Sequence, residues 1–277
     1  MNAAGGSVRG MARTALVTGA SSGIGLAVAR ALVAKGYRVI GTSRKPETIP
    51  DELRVPGVEY LPLDLTDPGS IEACARAAGE VDVLVNNAGE SQSGPIEELP
   101  MPAVERLFAL NVFGAVHLMQ LLTPGMRARG YGRVVMIGSM IASFPLTYRS
   151  SYAASKAAVK AFATASRLEL SPYGVWVTTV EPGAINTGLS ERRTKYVSDG
   201  SVYADEFRTV IGILDANERR GVSGDRVAAT VLGAIEAARP RPLYAVGSRA
   251  PVVFTLRRIL PRSAVEKMIA RAYGIKR

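Results

Sequence analysis

Short apolar runs alternate along the chain with stretches in which apolar residues return every three or four positions, and glycines mark the joins. Thr14 to Thr18 is the first such run. It stops at a glycine-rich turn, after which Ile24, Val28 and Leu32 recur every four residues, the period of one helix face. Gly36 is suited to ending that helix, and Tyr37–Thr42 reads as a second strand, so the opening unit predicts strand, helix and parallel strand joined by a right-handed crossover. The same alternation predicts strand Val58–Leu61, helix Ser70–Ala78, strand Val81–Val85, helix Met101–Arg129, strand Gly132–Ile137, helix Ser151–Ser171 and strand Val175–Glu181. Several of these strands are unbroken apolar runs, which fits a sheet covered on both faces. The pattern as a whole predicts a single-domain α/β protein built on a doubly wound parallel sheet.

Residues 186–223 break the rhythm. They are polar and mixed, with a short helix expected from about Tyr203 to Asn217, and they follow a strand's carboxyl end, where ligands bind in sheets of this kind. The segment is expected to be a substrate lid. Helix Asp225–Ala238 and a short strand at Leu243–Val246 complete the unit. The expected boundaries are 1–12 for a disordered leader, 13–248 for the domain, and 249–277 for a basic amphipathic tail containing segments 251–260 and 263–273. The leader lacks the apolar centre of a secretory signal, and Met11, just ahead of the first strand, is a second candidate start.

With 47% hydrophobic and 21% charged residues, the 277-residue chain falls in the ordinary globular range. Its one cysteine, Cys74, rules out an intramolecular disulfide and a cysteine-built metal site, and fits a reducing, cytoplasmic compartment. The sequence shows no apolar run approaching the roughly 18–20 residues that span a bilayer. The net charge of +10 changes the picture only at one end. Residues 1–238 carry 24 Lys+Arg against 23 Asp+Glu, whereas residues 239–277 carry 10 against the single Glu266. A neutral body argues against nucleic acid as a partner. In the tail, Val252, Val253, Phe254, Leu256, Ile259 and Leu260 lie beside Arg257, Arg258 and Arg262. Four uses stay open for it: peripheral contact with an anionic membrane surface, a cover over a substrate pocket, packing on a neighbouring subunit, or a solvated helix face.

The candidate chemistry collects at strand ends. Gly19, Ser21, Ser22, Gly23, Ile24 and Gly25 make the turn between the first strand and the first helix, where glycines let the backbone approach a pyrophosphate and the helix start offers free N–H groups. That placement reads as a Rossmann-like dinucleotide site. The next strand ends Gly41-Thr42-Ser43-Arg44-Lys45. It has no acid for the ribose 2′-hydroxyl of NAD and has an arginine that can fork onto a 2′-phosphate, so NADP(H) is favoured over NAD(H). Tyr152 and Lys156 stand four apart on an expected helix, hence on one face. The ammonium is expected to stabilise the phenolate and bring the phenol, which ordinarily titrates at about 10, toward neutral pH. Ser139, following the strand Val134–Gly138, is placed to donate to an oxygen on which negative charge develops. His117, the single histidine, falls among apolar residues and reads as a packed side chain, and no residue pattern supports metal chemistry.

Taken in order, Thr18 through Gly25, then Asn86-Asn87-Ala88-Gly89, then Ser139, then Tyr152-Ala-Ala-Ser-Lys156 closely resemble the motifs of the short-chain dehydrogenase/reductase family, over about residues 13–245. The resemblance implies a dinucleotide-binding catalytic domain in which Tyr152 is the acid and base, working with Lys156, Ser139 and Asn111, the last holding a water between Lys156 and solvent. It implies that Asp64 and Leu65 meet the adenine. Asn87 is implied near the nicotinamide ribose, with Ala88, Gly89, Tyr152 and Lys156 also touching the cofactor, and Pro182, Gly183, Ile185 and Thr187 form the segment that meets the nicotinamide. The activity implied is hydride transfer between the nicotinamide and a carbonyl or secondary alcohol of a small molecule, in a homodimer or homotetramer. Val180-Glu181-Pro182-Gly183 and the long tail are more similar to enzymes of steroids, retinoids and other lipophilic alcohols than to acyl-carrier ketoreductases. Two readings compete: a non-catalytic NADP-binding regulatory protein, and a nucleic-acid or membrane-binding module with an incidental enzyme-like core. The intact set of Ser139, Tyr152 and Lys156 argues against the first, and salt-sensitive binding lost on deleting residues 249–277, with function untouched by catalytic knockouts, would mark the second.

Overall fold

The apolar runs become a parallel sheet. The computed structural model describes residues 12–188 and 191–275, so the expected leader, apart from Ala12, lies outside the described residues. Among the described residues the main sheet has seven strands: β1 (Thr14–Val17), β2 (Arg38–Ser43), β3 (Val58–Pro62), β4 (Val83–Asn86), β5 (Gly132–Ile137), β6 (Val175–Pro182) and β7 (Leu243–Val246), in the order β7-β6-β5-β4-β1-β2-β3. Every residue of β1, β4 and β5 is buried, as the unbroken apolar runs require when both faces are covered. The chain runs outward from β1 to β3, then returns to build the other half from β4. That reversal leaves a crevice between the carboxyl ends of β1 and β4. Val17 pairs in register with both Gly41 and Val85, which sets the ends of β1, β2 and β4 level with one another.

Helices cover both faces. On one side α1 (Gly23–Ala34) and α7 (Gly224–Glu236) pack Val28, Leu32, Val227, Val231 and Ile235 against Val17, Val39 and Val85. On the other, α2 (Pro68–Ala78), the long helix after β4 and α5 (Ser150–Leu170) pack Ile71, Leu118, Met126 and Val159 against Leu16, Ile40 and Leu84. Each such side chain contributes on the order of 1.5–3 kcal/mol by leaving water. The single helix expected over 101–129 is interrupted: α3 (Met101–Phe108) passes into a π-helical turn, Ala109–Gly114, before α4 (Ala115–Ala128). The wider turn accompanies a close approach, because a Cβ on Gly114 would stand 2.1 Å from the Leu65 carbonyl oxygen. The continuous stretch Met101–Ala128 is long and apolar enough to match a membrane span by composition, which the run-by-run reading missed, yet 61% of its apolar window is buried in the fold. His117 is half-buried on α4.

In the segment between β6 and α7, a short parallel pairing of Ile185–Asn186 with Val222–Ser223 closes the two ends on each other, and a second, Gln92–Ser93 with Thr194–Lys195, ties the segment to the body. Its helix, α6, spans Ala204–Arg219. Arg193 is buried at its base, paired with Asp215 and Glu218 of α6. The two tail segments are helices, α8 (Ala250–Ile259) and α9 (Arg262–Ala272). A small separate core joins tail to insertion, with Ile269 and Tyr273 packed against Leu146, Tyr148, Phe207, Val210 and Ile211.

Candidate active site

A cleft of about 1390 Å³ opens at the reversal point of the sheet. Its phosphate-sized end is built from β1 and α1. Gly19 and Gly23 take left-handed backbone angles (φ +67° and +55°), which cost glycine nothing. Gly25 lies behind the cleft wall, where a Cβ would stand 2.2 Å from the Gly19 carbonyl oxygen, so helix and turn meet backbone to backbone. Ser21, Ser22, Gly23 and Ile24 line the cleft. Ser22 caps α1 by position only, with no side-chain hydrogen bond to the helix, which leaves first-turn N–H groups for an anion. These residues fit a pyrophosphate. Asn87, expected near the nicotinamide ribose, lines the cleft, and its side-chain NH2 donates to the carbonyls of Thr18 (2.9 Å) and Gly19 (3.3 Å), bracing the glycine turn. The Thr18 hydroxyl completes the brace by accepting the N–H groups of Asn87 and Ala88, both at 2.9 Å.

Along the adenosine side lie Arg44, Asp64 and Leu65. Asp64 accepts from the N–H and hydroxyl of Thr66, at 2.8 and 2.7 Å. Those bonds hold its carboxyl below the usual range, with the positive charges of Arg44 and Arg106 adding to the effect. Pro182, Gly183, Ile185 and Thr187 form the facing wall. Arg192, which no periodicity in the sequence marks, bridges the two walls by donating to the Ser22 hydroxyl (3.0 Å) and the Thr187 carbonyl (3.3 Å).

At the far end α5 presents Tyr152 and Lys156, and Ser139 follows β5. The Ser139 side chain, whose oxygen accepts the Ile141 N–H at 3.3 Å, favours the Tyr152 phenolate. Lys156 Nζ donates to the Ile137 carbonyl at 2.9 Å and stands 5.9 Å from the centroid of the Tyr152 ring. Burial holds the Lys156 ammonium down to about 8. Burial also pushes the Tyr152 phenol up, outweighing the opposing pull of Arg149 and Ser139, so the shift expected from Lys156 is reversed here. Asn111 lies behind Gly89, where a Cβ would come within 3.1 Å of Asn111 Oδ1 and 3.5 Å of Lys156 Nζ. Its Oδ1 accepts the Glu90 N–H (2.9 Å), while its Nδ2 donates to the Glu90 carbonyl (3.0 Å) and the Ser155 hydroxyl (3.2 Å). The side chain is therefore a brace for the loop facing Lys156.

Beyond Tyr152 the cleft gathers apolar side chains, Met140, Phe144 and Leu146 of the body, Leu214 of α6, Val253 and Leu256 of α8, and Met268 and Ile269 of α9, with Glu218, Arg249 and Arg257 also on its wall. Val253 and Leu256 belong to the tail for which a pocket cover was one of the open uses, and Leu214 to the expected lid, whereas Met140, Phe144, Leu146, Met268 and Ile269 carried no such expectation. Known proteins share both the sequence pattern and the geometry. The family model for short chain dehydrogenases matches residues 13–197. A 3-ketodihydrosphingosine reductase of Bacteroides thetaiotaomicron is 31% identical, over 94% of this chain and 98% of its own. The crystal structure of a short-chain dehydrogenase from Streptomyces avermitilis superposes with a TM-score of 0.81 at 32% identity, covering 97% of this chain and 100% of that one. A short chain dehydrogenase from Burkholderia cenocepacia, solved in complex with NADP, gives 0.75 at 26% identity over 93% and 97%. The chain belongs to the short-chain dehydrogenase family, oxidoreductases of CH–OH and carbonyl groups that bind a nicotinamide nucleotide.

Proposed function

We propose that the protein is an NADP(H)-dependent oxidoreductase that interconverts lipophilic ketones and secondary alcohols, with Tyr152 as the acid and base. The observation that carries this reading is one cleft with the glycine turn at one end and the Ser139, Tyr152, Lys156 cluster at the other. When bound, the nicotinamide supplies or accepts the hydride. The glycine turn and the start of α1 hold the pyrophosphate, assisted by Arg192, and Arg44 takes the 2′-phosphate. The Burkholderia relative's NADP is in keeping with that choice. Ser139 donates to the substrate oxygen, Tyr152 passes it a proton in reduction and withdraws it in oxidation, and Lys156 supplies the positive charge that steadies the phenolate. The apolar walls from α6, α8 and α9 exclude water and suit a hydrocarbon-rich substrate, and a relative named as a reductase of a keto lipid supports the class. On this reading the insertion is a lid and the tail a pocket cover. Exposed Phe113 and Leu168 (60% and 75%) beside α4 and on α5 support a homodimer or homotetramer, and the lone, buried Cys74 suits the cytoplasm.

A panel of ketones and lipophilic alcohols, assayed with both nucleotides by nicotinamide absorbance, tests the proposal. Tyr152→Phe should lower kcat by about 10²–10⁴-fold while NADPH still binds; near-normal turnover would remove Tyr152 from the mechanism. Arg44→Asp should shift the kcat/KM preference toward NADH by about tenfold or more, and an unmoved ratio would mean that the 2′-phosphate is read elsewhere.

A further inference from the structure

Arg149 stands one residue before α5 and is 3% exposed. Its Nη1 donates to the Ser91 hydroxyl (2.8 Å), the Gln92 carbonyl (2.9 Å) and the Ser93 hydroxyl (3.1 Å). Its Nε is buried with no hydrogen-bond partner among the described residues. Burial drags its guanidinium to about 10, a large cost for a side chain that a neutral one of similar size would not incur. The guanidinium carbon lies 4.3 Å from the centroid of the Tyr152 ring, inside the range of a cation–π contact and closer than Lys156 at 5.9 Å. A cation against the ring favours phenolate over phenol, because the ring gains electron density when the proton leaves.

We propose that Arg149 is a positioning residue for Tyr152: the guanidinium, fixed by Ser91, Gln92 and Ser93, holds the phenol ring in place at the cleft and keeps a positive charge against it. The inference rests on the reading of Tyr152 as the acid–base group. The other groups facing that phenol are Lys156 on its own helix, the Ser139 hydroxyl, Arg193 of the lid and Glu218 of α6. Arg193 is already paired with Asp215 and Glu218, and Lys195 with Asp215, so removing Arg149 takes away a positive charge that those ion pairs do not replace.

The experiment is the pH profile of kcat/KM in wild type, Arg149→Gln and Arg149→Lys, with NADPH fluorescence titration as the check on folding. Loss of the charge raises the phenol's pKa, so the rising limb of alcohol oxidation should move about one pH unit or more to the alkaline side in Arg149→Gln. In the same variant kcat at neutral pH should fall at least about tenfold, and Arg149→Lys should recover part of the shift. A loss that is uniform across pH, with the limb in its wild-type place, overturns the proposal. If Arg149→Gln fails to bind NADPH, the Ser91→Ala/Ser93→Ala double variant replaces it: it loosens the guanidinium without altering any charge, and again an unmoved limb overturns the proposal while an alkaline shift supports it. Should Tyr152→Phe retain turnover, the reading of Tyr152 fails; should Tyr152→Phe be inactive and Arg149→Gln keep the wild-type limb, only the role of Arg149 fails.

Discussion

Lys156 is an ammonium whose hydrogen-bond partner is the Ile137 carbonyl, and it is almost shut off from water. Burial lowers its pKa from an ordinary 10.5 to about 8. Between those two values the unfolded chain holds a proton that the folded chain has released, so stability rises with pH across that window, and below about 8 the folded protein carries the whole cost of the buried charge. The cost is at most about 3 kcal/mol at neutral pH. Lys156→Met should therefore raise the Tm at pH 7 by several degrees while abolishing turnover, with the gap to wild type closing as the pH climbs from about 8 to about 10.5. A Tm at or below wild type in thermal unfolding at pH 7 would show that the Ile137 hydrogen bond outweighs the desolvation. At this scale the four-residue spacing placed Tyr152 and Lys156 on one helix face and the apolar run placed Ser139 after its strand, and all three line the cleft. The sequence could not give the direction of the Tyr152 shift, which depends on burial and on Arg149, and Arg149 is placed by its bonds to Ser91–Ser93, 56 to 58 residues away.

The strands were legible because a fully covered parallel strand is a continuous apolar run, and their observed ends fall within two residues of the expected ones. The π turn at Ala109–Gly114 was not, since a widened turn leaves a local pattern that still reads as helix. Its necessity lies in a distant partner, the Leu65 backbone, which Gly114 meets without a Cβ. Gly114→Ala would place a methyl 2.1 Å from the Leu65 carbonyl oxygen and 2.7 Å from its Cβ, so either the helix or the loop carrying Asp64 and Leu65 has to move. Overpacking of this kind costs about 1–3 kcal/mol. The Tm should drop by several degrees and NADPH should bind more weakly, because Leu65 lines the cleft. Weaker binding with an unchanged Tm, or the reverse, would separate the loop's role in the site from its role in packing. Asn111, carried on the same turn, makes the second half of this connection by fastening Glu90 to Ser155 of α5.

Across the whole molecule the cleft joins halves with different chemistry. The nucleotide end is built from β1, β2, β4 and their turns, all within the segment where sequence motifs are dense. The apolar end is assembled by α6, α8 and α9, whose residues meet only after the chain has closed, so the sequence pointed to the segment and to one of four uses of the tail but not to which side chains meet there. The tail's positive charge also falls at this mouth, with Arg249 and Arg257 on the cleft wall, where it favours the approach of an anionic nucleotide. Val253 and Leu256 offer a way to test the division, since both line the cleft from α8 and neither belongs to the glycine turn. Making both aspartate removes apolar surface worth on the order of 1.5–3 kcal/mol per side chain to a buried hydrocarbon partner. The double variant should raise KM for a long-chain ketone by about tenfold or more and change that of a small, water-miscible ketone far less. NADPH affinity, measured by fluorescence, should weaken modestly at most, through the added negative charge. Equal losses for the long and the short ketone would place the hydrocarbon elsewhere and leave α8 with a packing role alone.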